Sequence, residues 1–320
     1  IATVEDLINL SNTPADWDKH FIQTADITFN NDPSQVDWDG DGTADWDTED
    51  QKGFSPIGNS TVKFTGTYNG DGKQINGLLI NRPNEDYIGL FGYLDQGNVK
   101  NISIQKTSVN GNEYVGSLIG FIQEGKVSNS NTEGTINGNN NVGGVIGRSK
   151  ASEITYSYAS GTVVGENRVG GLVGANNSRG QTFFDGIISY SYAYNKVIGE
   201  EWSIGGLVGA NDGVITSSYA TGDVTGNNRI GGLVGSISVG KVIQSFSTGA
   251  VNFKSGTTTG QIGGLIGHRY ASEVISSFWN KETSGQTTSA GGTGKTTAEL
   301  KSLSTFTVGG WDFAGETANG

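Results

Sequence analysis

Val169-Gly170-Gly171-Leu172-Val173-Gly174 is one copy of a phrase whose spacing decides the fold. Other copies start at Val115 (VGSLIG), Val142 (VGGVIG), Ile204 and Ile230 (both IGGLVG) and Ile262 (IGGLIG). A degenerate first copy runs from Ile88 to Gly92. The first four starts (88, 115, 142, 169) lie 27 residues apart, and the later gaps are 35, 26 and 32. A period of about 20–50 residues describes units that cannot bury an apolar face alone and therefore stack.

A second element follows each phrase. An apolar residue leads to Ser and an aromatic: Ile154 to Ser157-Tyr158, Ile188 to Ser191-Tyr192, Ile215 to Ser218-Tyr219, Val242 to Ser245-Phe246, Val274 to Ser277-Phe278. Runs of β-branched, aromatic and hydroxyl residues bounded by Gly and Asn read as short strands. Two or three such strands in 27 residues make one coil of a β-solenoid. Coils stack at roughly 4.8 Å, so about 9 to 11 of them give a rod of roughly 45–50 Å. The paired glycines are expected at a corner or bulge. In strict alternation Leu207 would face away from Ile204 and Val208, whereas a bend at Gly205-Gly206 turns Ile204 and Leu207 inward together. Glycine also admits positive φ at such a corner.

Composition agrees with a thin core. Of 320 residues, 34% are hydrophobic and 52 are glycine, so a stack of narrow coils fits better than one thick globule. With four prolines and no three-residue glycine period, a collagen helix is excluded. The chain has no cysteine, which excludes disulfides and thiolate metal sites. The net charge of −12 argues against a nucleic-acid partner. No apolar run reaches the roughly 20 residues of a membrane span, so no membrane insertion by this segment is expected. The lack of methionine and of a signal peptide predicts a processed or excised chain, and an acidic, cysteine-free surface predicts an extracellular or cell-surface location.

The ends differ from the middle. Thirteen of the 32 acidic residues lie in the first 50 positions and all four prolines before residue 84. The expected organisation is an N-terminal cap with irregular first coils (1–85), regular repeats (86–285) and a C-terminal cap (286–320). Thr3 before Val4, Leu7 and Ile8, and Thr296 three residues before Glu299, are helix-start signals at the two open ends of the stack.

At these residues the chain resembles the GLUG-motif repeat proteins. The resemblance covers most of the chain, including the lead-in Phe64-Thr65-Gly66-Thr67-Tyr68-Asn69-Gly70-Asp71-Gly72, the Ser-Tyr-Ala-x-Gly strands and a closing Trp311-Asp312-Phe313. It implies an extracellular or surface-attached β-solenoid and no catalytic residues, because the motif marks architecture. The predicted fold is all-β: a right-handed parallel β-solenoid (β-helix) with short helical or irregular caps at both ends.

One segment points to a metal. Asp37-Trp38-Asp39-Gly40-Asp41-Gly42-Thr43-Ala44-Asp45 has the D-x-D-x-D-G-x-x-D spacing of an EF-hand-like loop, and Asp47 follows. Carboxylates of Asp37, Asp39 and Asp41 would converge on a structural Ca2+, with a Thr43 carbonyl and a direct or water-mediated Asp45 oxygen; Thr48 stands where the full motif has glutamate, and Asp47, Glu49 or Asp50 is expected to substitute for it. The alternative is an acidic, solvated turn. Enzyme signatures are weak: the two histidines, His20 and His268, are far apart, and no metal-protease, triad or nucleotide phrase is present. Gly291-Gly292-Thr293-Gly294-Lys295-Thr296 lacks phosphate-loop spacing and reads as a flexible linker.

The column Tyr158, Tyr192, Tyr219, Phe246 and Phe278 reads as an internal or groove-lining stack, with a glycan platform as the alternative. The residue before each phrase varies: Tyr87, Tyr114, Asn141, Arg168, Ser203, Arg229, Gln261. That column is expected to be exposed and to bind. The insertion Ala175–Ile187, with Arg179, Phe183 and Phe184, is a second candidate. The expected function is a non-enzymatic, calcium-stabilised adhesive or structural segment whose partners are cell-surface or matrix glycans or proteins, or other copies of itself. A glycan-binding or glycan-cleaving β-helix and a subunit of a self-assembling filament or layer are the alternatives.

Overall fold

The computed structural model describes residues 1–29, 52–180, 185–257 and 259–312. One coil shows how the chain winds. Asn140–Gly143, Ile146–Lys150, Glu153–Thr155 and Tyr158–Gly165 are four successive strands, one or two more than the pattern predicts. Each pairs in parallel with its equivalents in the coils above and below, as in Val115↔Val142↔Val169, Ile119↔Ile146↔Val173, Val127↔Ile154↔Ile188 and Asn131↔Tyr158↔Tyr192. Among the described residues this builds four parallel sheets of six, seven, nine and 14 strands, here sheets 1 to 4 in the order the coil visits them. The molecule is a parallel β-solenoid.

In-register parallel stacking places like residue on like, so the core is a set of columns. Val142, Val169, Ile204 and Ile230 fill sheet 1, Val145, Leu172, Leu207 and Leu233 the corner, and Ile146, Val173, Val208 and Val234 sheet 2, all fully buried. Ile204, Leu207 and Val208 therefore all point inward, as the bend at the paired glycines requires. In each of the six full copies the first glycine ends a sheet 1 strand, the next two residues form the bend, and the remainder starts sheet 2.

The glycines do not supply positive φ. That conformation falls on the preceding residue: Tyr87 (φ 63), Tyr114 (57), Asn141 (55), Arg168 (52), Ser203 (65) and Arg229 (53). The glycines are there for space. A Cβ on Gly143 would lie 2.1 Å from the Ile146 carbonyl oxygen, and one on Gly209 would lie 2.6 Å from the Arg168 carbonyl carbon. The corner is thus closed so tightly that main chain touches main chain.

The Ser-aromatic element turns the corner from sheet 3 to sheet 4. Tyr156, Tyr190, Ser217, Gln244 and Ser276 are left-handed there (φ 45–50). Each following serine donates to the carbonyl two residues back, as Ser191 to Ser189 at 2.8 Å, and accepts the backbone N–H of the serine one coil earlier, as from Ser157 at 3.2 Å. A buried turn would otherwise leave those N–H groups unpaired. The serine ladder Ser130, Ser157, Ser191, Ser218, Ser245, Ser277 satisfies them coil after coil.

Both ends are capped. Helix α1 (Val4–Ser11) carries a Thr3–Asp6 capping box and buries Leu7 and Leu10 on the first coil. At the other end the expected linker is structured. Thr293–Lys295 is a strand that pairs with Phe278–Asn280, because backbone groups of the last coil need partners. Thr296 and Glu299 then form a capping box on a one-turn helix, Thr297–Leu300.

Candidate ligand-binding groove

The tight corner brings two variable positions face to face. One is the residue before each phrase; the other is the residue directly after its last glycine: Tyr93, Phe121, Arg148, Ala175, Ala210, Ser236 and His268. These form an in-register column on sheet 2. The left-handed residues of sheet 1 lean toward it across the glycine corner. The result is a groove parallel to the solenoid axis.

Its character changes along its length. At the N-terminal end it is aromatic: Tyr87 stacks on Tyr93 at 5.4 Å and on Tyr114 at 4.9 Å, and Phe121 lies 4.7 Å from Tyr93. Burial, with the neighbouring Tyr114 and acidic groups, holds the Tyr87 phenol above its ordinary pKa. In the middle the sheet 2 wall shrinks to Ala175, Ala210 and Ser236, and the groove opens into a cavity of about 260 Å³. Arg148, Arg168 and Arg229 line it, together with Asn177, Ser203 and Asp212.

Each arginine is held differently. Arg148 lies over Phe121 (5.6 Å) and Tyr114 (5.9 Å), and its Nε donates to Asn177 Oδ1 at 3.0 Å. Asn177 in turn donates to Asp212 Oδ2 at 2.8 Å. Arg229 lies 4.8 Å over the Trp202 ring and its Nη2 reaches the Tyr270 hydroxyl at 3.5 Å, while its buried Nε has no acceptor. His268 faces Arg229. Burial, then the Arg229 charge, lowers the imidazole pKa and so favours its neutral form. Arg168 is exposed. Among the described residues none of these three arginines forms an ion pair.

The structure thus brings Tyr87, Tyr114, Arg168 and Arg229 into one groove. Of their column only Arg168 and Gln261 are exposed as expected; Tyr87, Tyr114 and Arg229 are half-buried, and Asn141 and Ser203 are 4% and 5% accessible. Asn141 and Ser203 form the groove floor, where Ser203 Oγ meets Ser236 Oγ at 2.9 Å. Arg179 stands apart, ion-paired to Asp185 at 3.0 Å and Glu124 at 3.4 Å. Phe183 and Phe184 lie outside the described residues, as do Asp37, Asp39, Asp41, Thr43, Asp45 and Asp47.

Of the aromatic column only Phe278, packed against Phe306 and Trp311, is buried; the other four residues are not internal. Tyr158, Tyr192, Tyr219 and Phe246 are half-buried on the outer surface of sheet 4, stacked at 4.8, 4.9 and 5.0 Å; the inward position is the next residue, Ala159, Ala193 or Ala220. Tyr192 and Tyr219, in the middle of the stack, have both ring faces taken up by their neighbours. Phe306 and Trp311 from the C-terminal cap cover the far end of the column.

The GLUG motif model matches residues 138–164 and 200–225. Two stretches of the chain, each about one coil long, thus match the GLUG motif. The first matched segment runs through all four strands of a single coil. Halomucin from Haloquadratum walsbyi (strain DSM 16790 / HBSQ001) is 34% identical over 139 residues, 42% of this chain and 1% of halomucin. A candidate Gly-rich membrane protein from Evansella cellulosilytica is 45% identical over 53 residues, 16% of this chain and 6% of that protein. The chain therefore spans a small fraction of the curated relatives it matches. A candidate immunoglobulin A1 protease from Bacteroides ovatus superposes with a TM-score of 0.60 at 18% identity, covering 85% of this chain and 83% of that one. A structure named IgA1 protease gives 0.51 at 16% identity, covering 88% of this chain and 19% of that one. At such identities the two structures share the fold alone. The second wall of the groove was missed in the sequence, although the residue after each closing glycine varies as freely as the one before it.

Proposed function

We propose that this GLUG solenoid is a non-enzymatic, extracellular adhesive segment that engages ligands through the groove flanking its glycine corner. The observation that carries the reading is the pairing of two variable columns across a recurring glycine corner. Architecture is held constant while the facing residues are free to suit a ligand. Likeness to parts of halomucin and of a Gly-rich membrane protein supports a surface location. His20 and His268 sit in the first strand of sheet 3 and the last strand of sheet 2, at opposite ends of the stack, which favours binding over triad-type chemistry. The immobilised chain is expected to retain members of a panel of surface glycans and matrix proteins without altering them. Product release from a retained polymer, or no retention of any member, would overturn the reading.

The acidic loop is read as a calcium clip from its spacing alone. Calcium added to the EDTA-treated chain is expected to release binding heat and raise Tm; a site at 100-fold excess over Kd stabilises by about 2.7 kcal/mol. No heat and an unmoved Tm would leave the solvated-turn alternative.

A further inference from the structure

We propose that the middle of the groove is a binding site for a linear acidic polysaccharide, whose carboxylate or sulfate groups are taken by Arg148, Arg168 and Arg229. This deepens the adhesive reading and rests on it. Charge comes first. The whole chain carries −12, yet the cavity lining holds three arginines and one aspartate, a local balance of 3 − 1 = +2. The chain has six arginines, so half of them converge here. Among the described residues none of the three is neutralised by an ion pair, while Arg82 and Arg179, elsewhere, are. Guanidinium forks are suited to planar carboxylates and to sulfate or phosphate oxygens.

Spacing then selects a polymer. Arg148 stands on one wall, one coil before Arg168, and Arg229 stands two coils beyond it on the other wall. At roughly 4.8 Å per coil the three charges span about 14 Å along the axis. A single small anion reaches one of them, whereas a chain lying along the groove reaches all three.

Lining chemistry selects a saccharide. Between the arginines lie the hydroxyls and amides of Ser203, Ser236, Asn141 and Asn177, suited to sugar hydroxyls. Aromatic groups back the two outer arginines, Tyr114 and Phe121 beside Arg148 and Trp202 and Tyr270 beside Arg229. The small side chains of Ala210 and Ser236 open room without an apolar pocket of the kind that anchors a protein side chain. Asp212, tied to Asn177, spaces the anionic groups by repelling one placed between the arginines.

The test is titration of the full chain with polygalacturonate and dextran sulfate, with dextran, poly-glutamate and inorganic sulfate as comparisons. Arg168→Gln is the main variant, because Arg168 is exposed and its loss leaves the core intact. The acidic polysaccharides are expected to bind with an affinity that falls as salt rises, and Arg168→Gln to weaken binding about tenfold at unchanged Tm. An Arg168→Lys variant should recover part of that loss. Equal binding of dextran, binding of poly-glutamate as tight as the saccharides, saturation by sulfate alone, or indifference to Arg168→Gln would each overturn the proposal. If acidic polysaccharides fail while another surface ligand is retained, the adhesive reading stands and this assignment falls.

Discussion

Gly147→Ala is expected to destabilise the solenoid by roughly 3 kcal/mol or more, at the upper end of what overpacking a core costs. The added methyl would sit 2.4 Å from Val115 N, 2.5 Å from the Tyr114 carbonyl carbon and 2.6 Å from the Gly120 carbonyl oxygen. All three are main-chain atoms of the preceding coil, pinned by the parallel ladders on either side, so no rotamer change relieves the clash. Relief requires the two coils to separate at the corner, which breaks the core columns there and parts the groove walls. Gly72→Ala is the control. Nothing lies within 4 Å of a Cβ at Gly72, whose φ is +73°, so the cost is the left-handed backbone alone, about 1–2 kcal/mol. Urea denaturation of the two variants should rank them clearly, with hydrogen exchange locating the Gly147→Ala damage at residues 114–120 and 142–150. A loss under about 0.5 kcal/mol for Gly147→Ala would mean that the glycines serve something other than close approach.

Alkaline pH is expected to unfold the N-terminal coils through Tyr68. The side chain is fully buried, and its hydroxyl donates to Gln23 Oε1 at 3.1 Å; the Gln23 amide donates to the carbonyls of Ala25 and Gln74. Burial pushes the phenol well above its ordinary value. In the unfolded chain a tyrosine ionises at about pH 10. Above that pH the unfolded state loses a proton that the folded state keeps, so stability is whole below about pH 10 and falls as pH rises toward the folded-state value. The slope is about 1.4 kcal/mol per pH unit for one such group. Tyr192 and Tyr219, shifted upward by burial first, add to the loss with the same sign. Tyr68→Phe should be less stable than the parent at pH 7, by about 1 kcal/mol for the hydrogen bond lost. Between pH 10 and 11.5 it should lose stability less steeply. Parallel pH profiles for the two proteins would remove Tyr68 from the account.

Much of the fold could be read in the chain because a stacked fold repeats its local chemistry. The 27-residue beat, the inward Val-Leu-Val triplet around the glycine pair and the Thr3 and Thr296 caps are local patterns, and each is found where its spacing puts it. What failed was direction. Tyr158 and Ala159 are adjacent, and only the pleat decides which of them points inward. The stretch 291–296 looked like linker because its partner, Phe278–Asn280, is supplied by the coil beneath it.

The sequence by itself determined the architecture, since repeating one coil in register commits every residue to stack on its equivalent. Only the tertiary structure decided the candidate site. Arg148 and Arg168 are twenty residues apart and belong to different coils, and nothing in either coil alone brings them together. They meet because a corner of bare glycine lets one strand approach the backbone of the coil before it, so the variable residues before and after the phrase face each other across a gap that side chains would have filled.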